Sequence, residues 1–212
     1  CSEIYTDCRD YDKAVSILSA WTEEDSPFGI RCILASAEVY VKKGELDKAD
    51  AAYNKITSRY AGTENAEYAA YRSGEIYYAA QKYSQAQERF TKYIYDYVDG
   101  KYADAAYYFS GDCNMKTGQL DRAIMQNTTL VSKYPESIYS YGAYKNLLQA
   151  YYAQENYREA LSTARLLVRD YREQAASEGI GQKVVELERI VSGTDRRVAE
   201  KHYKEQQKEI AR

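Results

Sequence analysis

The stretch EYAAYRSGEIYYAAQKYSQAQERF, residues 67–90, carries two apolar stripes of helical period. Ala70, Gly74 and Tyr77 share one face of a first helix, and Tyr83, Ala86 and Phe90 share one face of a second. Its echo, DAAYYFSGDCNMKTGQLDRAIMQN, occupies residues 104–127, an interval of 37 residues. Extending that interval both ways puts Ala49, Ala86, Ala123 and Ala160 in one column. If that column is position 20, position 17 holds Leu46, Tyr83, Leu120 and Tyr157, and position 11 holds Tyr40, Tyr77, Asn114 and Tyr151. Position 31 is Tyr60, Tyr97, Tyr134 and Tyr171, while position 8 is Ala37, Gly74, Gly111 and Leu148.

Each repeat therefore reads as an antiparallel helix hairpin. Small residues at positions 8 and 20 let the two backbones approach, and bulky ones at 4, 11, 24 and 27 fill the space around them. Gly44 and Gly118 are placed to end first helices in the left-handed conformation, with Asn156 in that role in the fourth repeat. Asp47, Ser84 and Asp121 are expected to cap the second helices. The resulting domain reading is four repeats, 30–66, 67–103, 104–140 and 141–177, none able to bury its stripe without a neighbour. The expected fold is all-α, a right-handed superhelical solenoid of helix hairpins.

Composition agrees. Two Pro and eleven Gly in 212 residues are too few for a β-sandwich with many tight turns. A net charge of -3 gives no footprint for nucleic acid. A single histidine, His202, removes His-based triads and multi-His metal sites, and Cys1, Cys8, Cys32 and Cys113 lack metal-finger spacing. Buried single thiols are the plain reading of the cysteines. No run of residues is apolar enough for a membrane span or a signal peptide.

The small–Tyr–Ala–aromatic–Pro columns at positions 8, 11, 20, 24 and 32 resemble the tetratricopeptide repeat, through Gly74, Tyr77, Ala86 and Phe90 and through Gly111, Gly118, Ala123 and Pro135. The 37-residue period and the run Tyr134-Pro135-Glu136-Ser137 are similar to a bacterial envelope variant, the BamD-like outer-membrane assembly lipoproteins and the Tol-associated periplasmic proteins. That resemblance implies a scaffold in the periplasm or at the inner face of the outer membrane, with the cytoplasm as the alternative.

The ends are atypical. Residues 1–29 read as a partial repeat, mainly its second helix, with Tyr5, Tyr11, Ala14, Leu18 and Trp21 at positions 11, 17, 20, 24 and 27. Asp25-Ser26-Pro27 supplies a cap and a helix start. A start inside a repeat fits a segment of a longer array; a lipidated Cys1 is the other account, and the one route to direct membrane contact. Residues 178–212 lose the register, with a helix through Val184, Leu187 and Val191 expected to break at Ser192-Gly193 and restart with Thr194 as cap. The mixed charges of residues 196–209, His202 among them, read as a solvated capping face.

Function in such an array belongs on the concave wall of first helices, at positions 2, 5, 9 and 12. These cells hold Arg31, Leu34, Glu38 and Val41; Tyr68, Tyr71, Glu75 and Tyr78; Ala105, Tyr108, Asp112 and Met115; and Gly142, Lys145, Gln149 and Tyr152. Glu38, Glu75 and Asp112 form a row of carboxylates about one helix diameter apart, ~10 Å. With Tyr68, Tyr71, Tyr78, Tyr108 and Tyr152 beside it, the row suits a peptide with basic or hydroxyl-bearing groups. The competing reading is a structural solenoid that docks by its edges and convex face, the row merely solvating an open wall. A hydrolase using these carboxylates is remote, because glycoside hydrolysis needs two unequal carboxyls in a cleft. No enzyme, cofactor, metal or small-molecule substrate is expected, and the partner is a protein or peptide. Of the twenty-five tyrosines, fifteen fall on packing positions, Tyr102 and Tyr139 recur at position 36, and Tyr95, Tyr141 and Tyr203 have no repeat position; the other five are those of the wall.

Overall fold

A computed structural model describes residues 10–210, with the side chains of 198–200, 202–203 and 205–210 excepted. The readings of Cys1, Tyr5 and Cys8, and of the side chains of His202 and Tyr203, fall outside the described residues. Among the described residues there are helices and no strand. In chain order they are α1 (Tyr11–Ser19), α2 (Pro27–Lys43), α3 (Leu46–Arg59), α4 (Glu64–Ala79), α5 (Tyr83–Asp96), α6 (Ala103–Lys116), α7 (Leu120–Lys133), α8 (Ser140–Ala153), α9 (Tyr157–Asp170), α10 (Arg172–Ser177) and α11 (Ile180–Ile210). They form two compact units, Cys1–Gly118 and Gln119–Arg212.

In the first unit each helix packs on its neighbours in sequence, and α4 also touches α2 and α6. The contact between paired helices is close because the residues at its centre are small. Ala49 and Ala86 are fully buried, as are Tyr53, Ile56 and Phe90 around them. Gly74 is the extreme case: a Cβ there would lie 2.6 Å from the Phe90 ring. Phe90 in turn stacks on Phe109 at 5.5 Å, and Tyr71 lies 5.9 Å from it, so one aromatic ring couples α4, α5 and α6.

The second unit pairs α7 with α8 and α8 with α9, and then lays α11 on α9. Leu148, Ala160, Ala164, Leu167, Ile180 and Leu187 form its core, with Tyr144, Tyr151, Tyr157 and Tyr171 packed around the edge. Ala123 and Ala160 are again fully buried.

Helix ends follow local chemistry. Ser26 caps α2 by accepting from Gly29 N at 3.1 Å, with Pro27 opening the helix. Thr63 caps α4 by accepting from Ala66 N at 3.2 Å. The turn inside each hairpin is left-handed at the same repeat position, with φ of 81° at Gly44, 58° at Gln81, 74° at Gly118 and 60° at Glu155. The fourth hairpin therefore turns at Glu155, one residue before the expected Asn156, whose φ is -78°. The expected caps Asp47, Ser84 and Asp121 also shift inward. Glu45, Lys82 and Gln119 occupy the cap sites, and their side chains make no capping bond to the helix N-terminus. Asp47 and Asp121 stand instead in the first turn, where a carboxylate still meets the positive helix end.

Two further expectations are corrected. Trp21 is exposed rather than core, because α1 ends at Ser19; its ring sits edge-on to Phe28 at 5.5 Å. Residues Ser192, Gly193 and Thr194 do not break α11. Ser192 Oγ donates to Glu188 O and Thr194 Oγ1 to Ile190 O, so both hydroxyls bond back along a continuous helix.

The register also persists past residue 177. Cys32, Ala69, Ala106, Ala143 and Ile180 are each 37 apart, and so are Val39, Ile76, Cys113, Ala150 and Leu187, and all ten are buried. The start of α11 thus packs as a fifth first helix. Among the described residues no second helix folds back on it, and the helix runs on to Ile210; the alanine column here reaches Arg197 and the position-17 column reaches Thr194. A helix with no small, apolar stripe has nothing to bury against its partner.

These contacts set the stability of the hairpins. Gly74→Ala is expected to destabilise by about 1–3 kcal/mol, since Phe90 must leave its well-packed position. Gln81→Gly and Glu155→Gly should each stabilise by roughly 0.5–1 kcal/mol by relieving a left-handed side-chain clash. Chemical denaturation of the three variants measures both signs; a neutral Gly74→Ala would remove the close-approach account.

Candidate functional site

The wall of first helices in the first unit is built by α2, α4 and α6. The carboxylate row predicted there exists, but it is not a set of independent charges. Arg72 on α4 donates Nη1 to Glu75 Oε2 and Nη2 to Glu38 Oε1, both at 2.8 Å. Glu38 Oε1 also accepts from the Tyr53 hydroxyl at 2.6 Å. Asp112 is buried at 9% exposure and accepts from the Tyr78 hydroxyl at 2.8 Å. One guanidinium and two phenols therefore neutralise or satisfy most of the row.

The tyrosines separate into two kinds. Tyr71 is 6% exposed, stacked on Tyr102 at 4.7 Å with the rings 10° apart, and lies against Tyr93 and Phe90. Its expected place on the open wall is corrected: position 5 of this helix turns into the aromatic core, where Phe90, Tyr93 and Tyr102 surround the ring. Tyr68, Tyr78 and Tyr108 are half-buried. The Tyr68 ring lies 6.3 Å from Tyr102, that of Tyr78 is edge-on to Phe109 at 4.8 Å, and that of Tyr108 meets Phe109 at 5.2 Å. A cleft of about 270 Å³ opens among Val41, Arg72, Glu75, Tyr78, Ala79 and Phe109.

In the second unit Tyr152 repeats the device. Its hydroxyl donates to Glu186 Oε1 at 2.8 Å, and Lys183 Nζ lies 3.7 Å above its ring. The Tyr152–Glu186 and Tyr78–Asp112 bonds both span 34 residues, from position 12 of one repeat to position 9 of the next. The Arg72–Glu38 bond spans the same distance in reverse. A second cleft, of about 460 Å³, lies among Leu148, Gln149, Tyr152, Ile180, Lys183 and Glu186.

Sequence reasoning missed Arg72, Phe109 and Lys183, which share position 6. A usable signal was present, since Arg72 and Lys183 each stand three residues before the position-9 carboxylate, the spacing of a helical ion pair. The Tyr53 ring is fully buried in the core while its hydroxyl reaches the wall at Glu38.

Burial works against the Arg72 charge, yet the bonds to Glu75 and Glu38 hold its pKa above the usual guanidinium value. Burial, reinforced by the bond to a carboxylate, raises the phenols of Tyr53, Tyr78 and Tyr93, whose partners are Glu38, Asp112 and Glu67. The Cys113 thiol is pushed up to about 12, chiefly by burial. Such thiols are poor nucleophiles. Among the described residues no group of three or more metal-ligating side chains converges.

The tetratricopeptide repeat family matches residues 31–63 and 68–99. No curated protein matches by sequence. Solved structures do match in fold. MamA superimposes with a TM-score of 0.59 at 18% identity, covering 83% of this chain and 97% of its own. YrrB, described as a TPR protein with an unusual peptide-binding site, gives 0.57 at 19% identity over 84% of this chain and 87% of its own. A tetratricopeptide repeat protein from Parabacteroides merdae gives 0.59 at 14% identity over 93% and 73%. The fold is that of a tetratricopeptide-repeat solenoid, and the two stretches 31–63 and 68–99 match the repeat's family model.

The raised phenols predict a defined alkaline transition. A tyrosine whose folded pKa exceeds the unfolded value of ~10 supports folding fully below that pH, and its contribution is lost as pH climbs through the folded value. Absorbance at 295 nm should resolve a set of tyrosines that ionises only as the helical circular-dichroism signal falls. A single ordinary titration with helicity intact would contradict the buried hydroxyl–carboxylate pairs.

Proposed function

We propose that this protein is a non-enzymatic scaffold that holds an extended segment of a protein partner on its first-helix wall. The observation that carries the reading is the set of half-buried rings of Tyr68, Tyr78 and Tyr108, set beside Glu38 and Glu75 on three successive first helices. Rings already fixed by Tyr102 and Phe109 lose little freedom on binding. YrrB supports the idea of peptide binding on such a fold by its description alone. Placement in a bacterial envelope assembly is the finer part of the proposal, and it rests on the Tyr134-Pro135-Glu136-Ser137 resemblance.

A second reading is docking by the edges and convex face. The exposed pair Trp21 and Phe28, and Tyr95, which is 83% exposed, favour it.

Photo-crosslinking distinguishes the two. With p-benzoyl-phenylalanine placed at positions 68 and 108, partner adducts are expected, and Tyr108→Ala with Glu75→Lys should cut capture by about tenfold, roughly 1.4 kcal/mol, at unchanged helicity. Adducts confined to positions 21 and 95 would transfer the function to the edges. Tyr71→Ala is unsuitable as a binding probe, because truncating a buried aromatic should cost about 3–5 kcal/mol of stability.

A further inference from the structure

The cleft on the wall has a chemistry of its own. It opens between the C-terminal ends of α2 and α4 and the middle of α6. Val41, Ala79 and Phe109 give it an apolar lining, and Arg72, Glu75 and Tyr78 a polar one. Its volume of about 270 Å³ is below the range of roughly 300–1,000 Å³ that encloses a whole small ligand, and suits one large side chain.

Charge narrows the occupant further. Arg72 is the cation of the cleft, and both terminal nitrogens of its guanidinium are engaged, one by Glu75 and one by Glu38. Its charge is therefore already shared between two carboxylates. Two carboxylates against one guanidinium leave an excess negative charge, and both carboxylates are partly exposed, with 31% of the Glu75 side chain and 43% of the Glu38 side chain open to solvent. A cation on the partner would complete the group, whereas an acidic one would meet repulsion.

Resting on the wall reading, we infer that this cleft takes one large apolar side chain of the bound segment, from a partner that places Lys or Arg within two residues of it. The apolar group seats between Val41, Ala79 and Phe109, and the cation meets Glu75 and Glu38. The tyrosine wall then supplies general contact, and the cleft supplies sequence preference.

The test is selection of a phage-displayed random dodecapeptide library on the full chain. Selected peptides should carry Leu, Ile, Met, Phe or Trp within two residues of Lys or Arg. Ala79→Trp, made at an exposed helix end so that the fold is kept, fills the cleft and should weaken their binding by about tenfold in fluorescence anisotropy. Val41→Phe fills it from the opposite helix and should act alike, and Glu75→Gln should weaken basic peptides by roughly threefold. An acidic consensus, no enrichment, or equal binding to the filled variants overturns the inference. Peptides that cross-link at position 108 yet ignore Ala79→Trp remove the cleft and leave the wall reading standing. Peptides that bind without cross-linking at positions 68 or 108 remove both.

Discussion

The fold depends on how closely two helix backbones can approach. At Gly74 the gap to Phe90 leaves no room for a methyl group, and the alanine column of the second helices is buried without remainder. Close approach lets bulky neighbours such as Tyr53, Ile56 and Tyr93 close over the contact instead of holding it apart. It also fixes the rotation of each first helix. That rotation decides which face packs and which becomes wall, so the wall's chemistry is downstream of a packing constraint.

The wall shows how a repeat array uses one position twice. A position-12 tyrosine presents its ring on the wall and donates its hydroxyl to the position-9 carboxylate of the next repeat, at Tyr78–Asp112 and at Tyr152–Glu186. The carboxylate thereby serves as an internal latch. Where position 12 is Val41, the device is replaced by Arg72, which reaches back to Glu38 and across to Glu75. Different side chains meet the same need, which is to satisfy a partly buried acid between adjacent first helices.

Much of this was legible in the sequence, and the boundary of legibility is physical. Column identity showed the hairpins, because packing at Ala49, Ala86, Ala123 and Ala160 tolerates only small residues. Turn chemistry was half legible: Gly44 and Gly118 announce a left-handed turn, whereas Gln81 and Glu155 adopt it without a glycine to mark it. The fifth first helix was hidden because its register survives only in buried columns of mixed size, Ile180 and Leu187 replacing Ala143 and Ala150. On the wall, the row Glu38, Glu75 and Asp112 could be read from spacing, but its neutralisation could not, since Arg72 and Tyr53 reach it from different helices. Tyr71 looked like its neighbours Tyr68 and Tyr78; only the stack on Tyr102 separates it from them.

Packing between sequence neighbours, seen in both units, has a kinetic counterpart. The latches between repeats each close a loop of 34 residues, so no contact of this kind waits on a distant part of the chain. Loop-closure entropy grows slowly with length and is nearly the same for every latch. Low contact order of this sort favours fast folding that can nucleate at several hairpins and spread to the next. During synthesis, a hairpin such as α4–α5 can find its partners as soon as they leave the ribosome, and the array assembles in the order in which it is written.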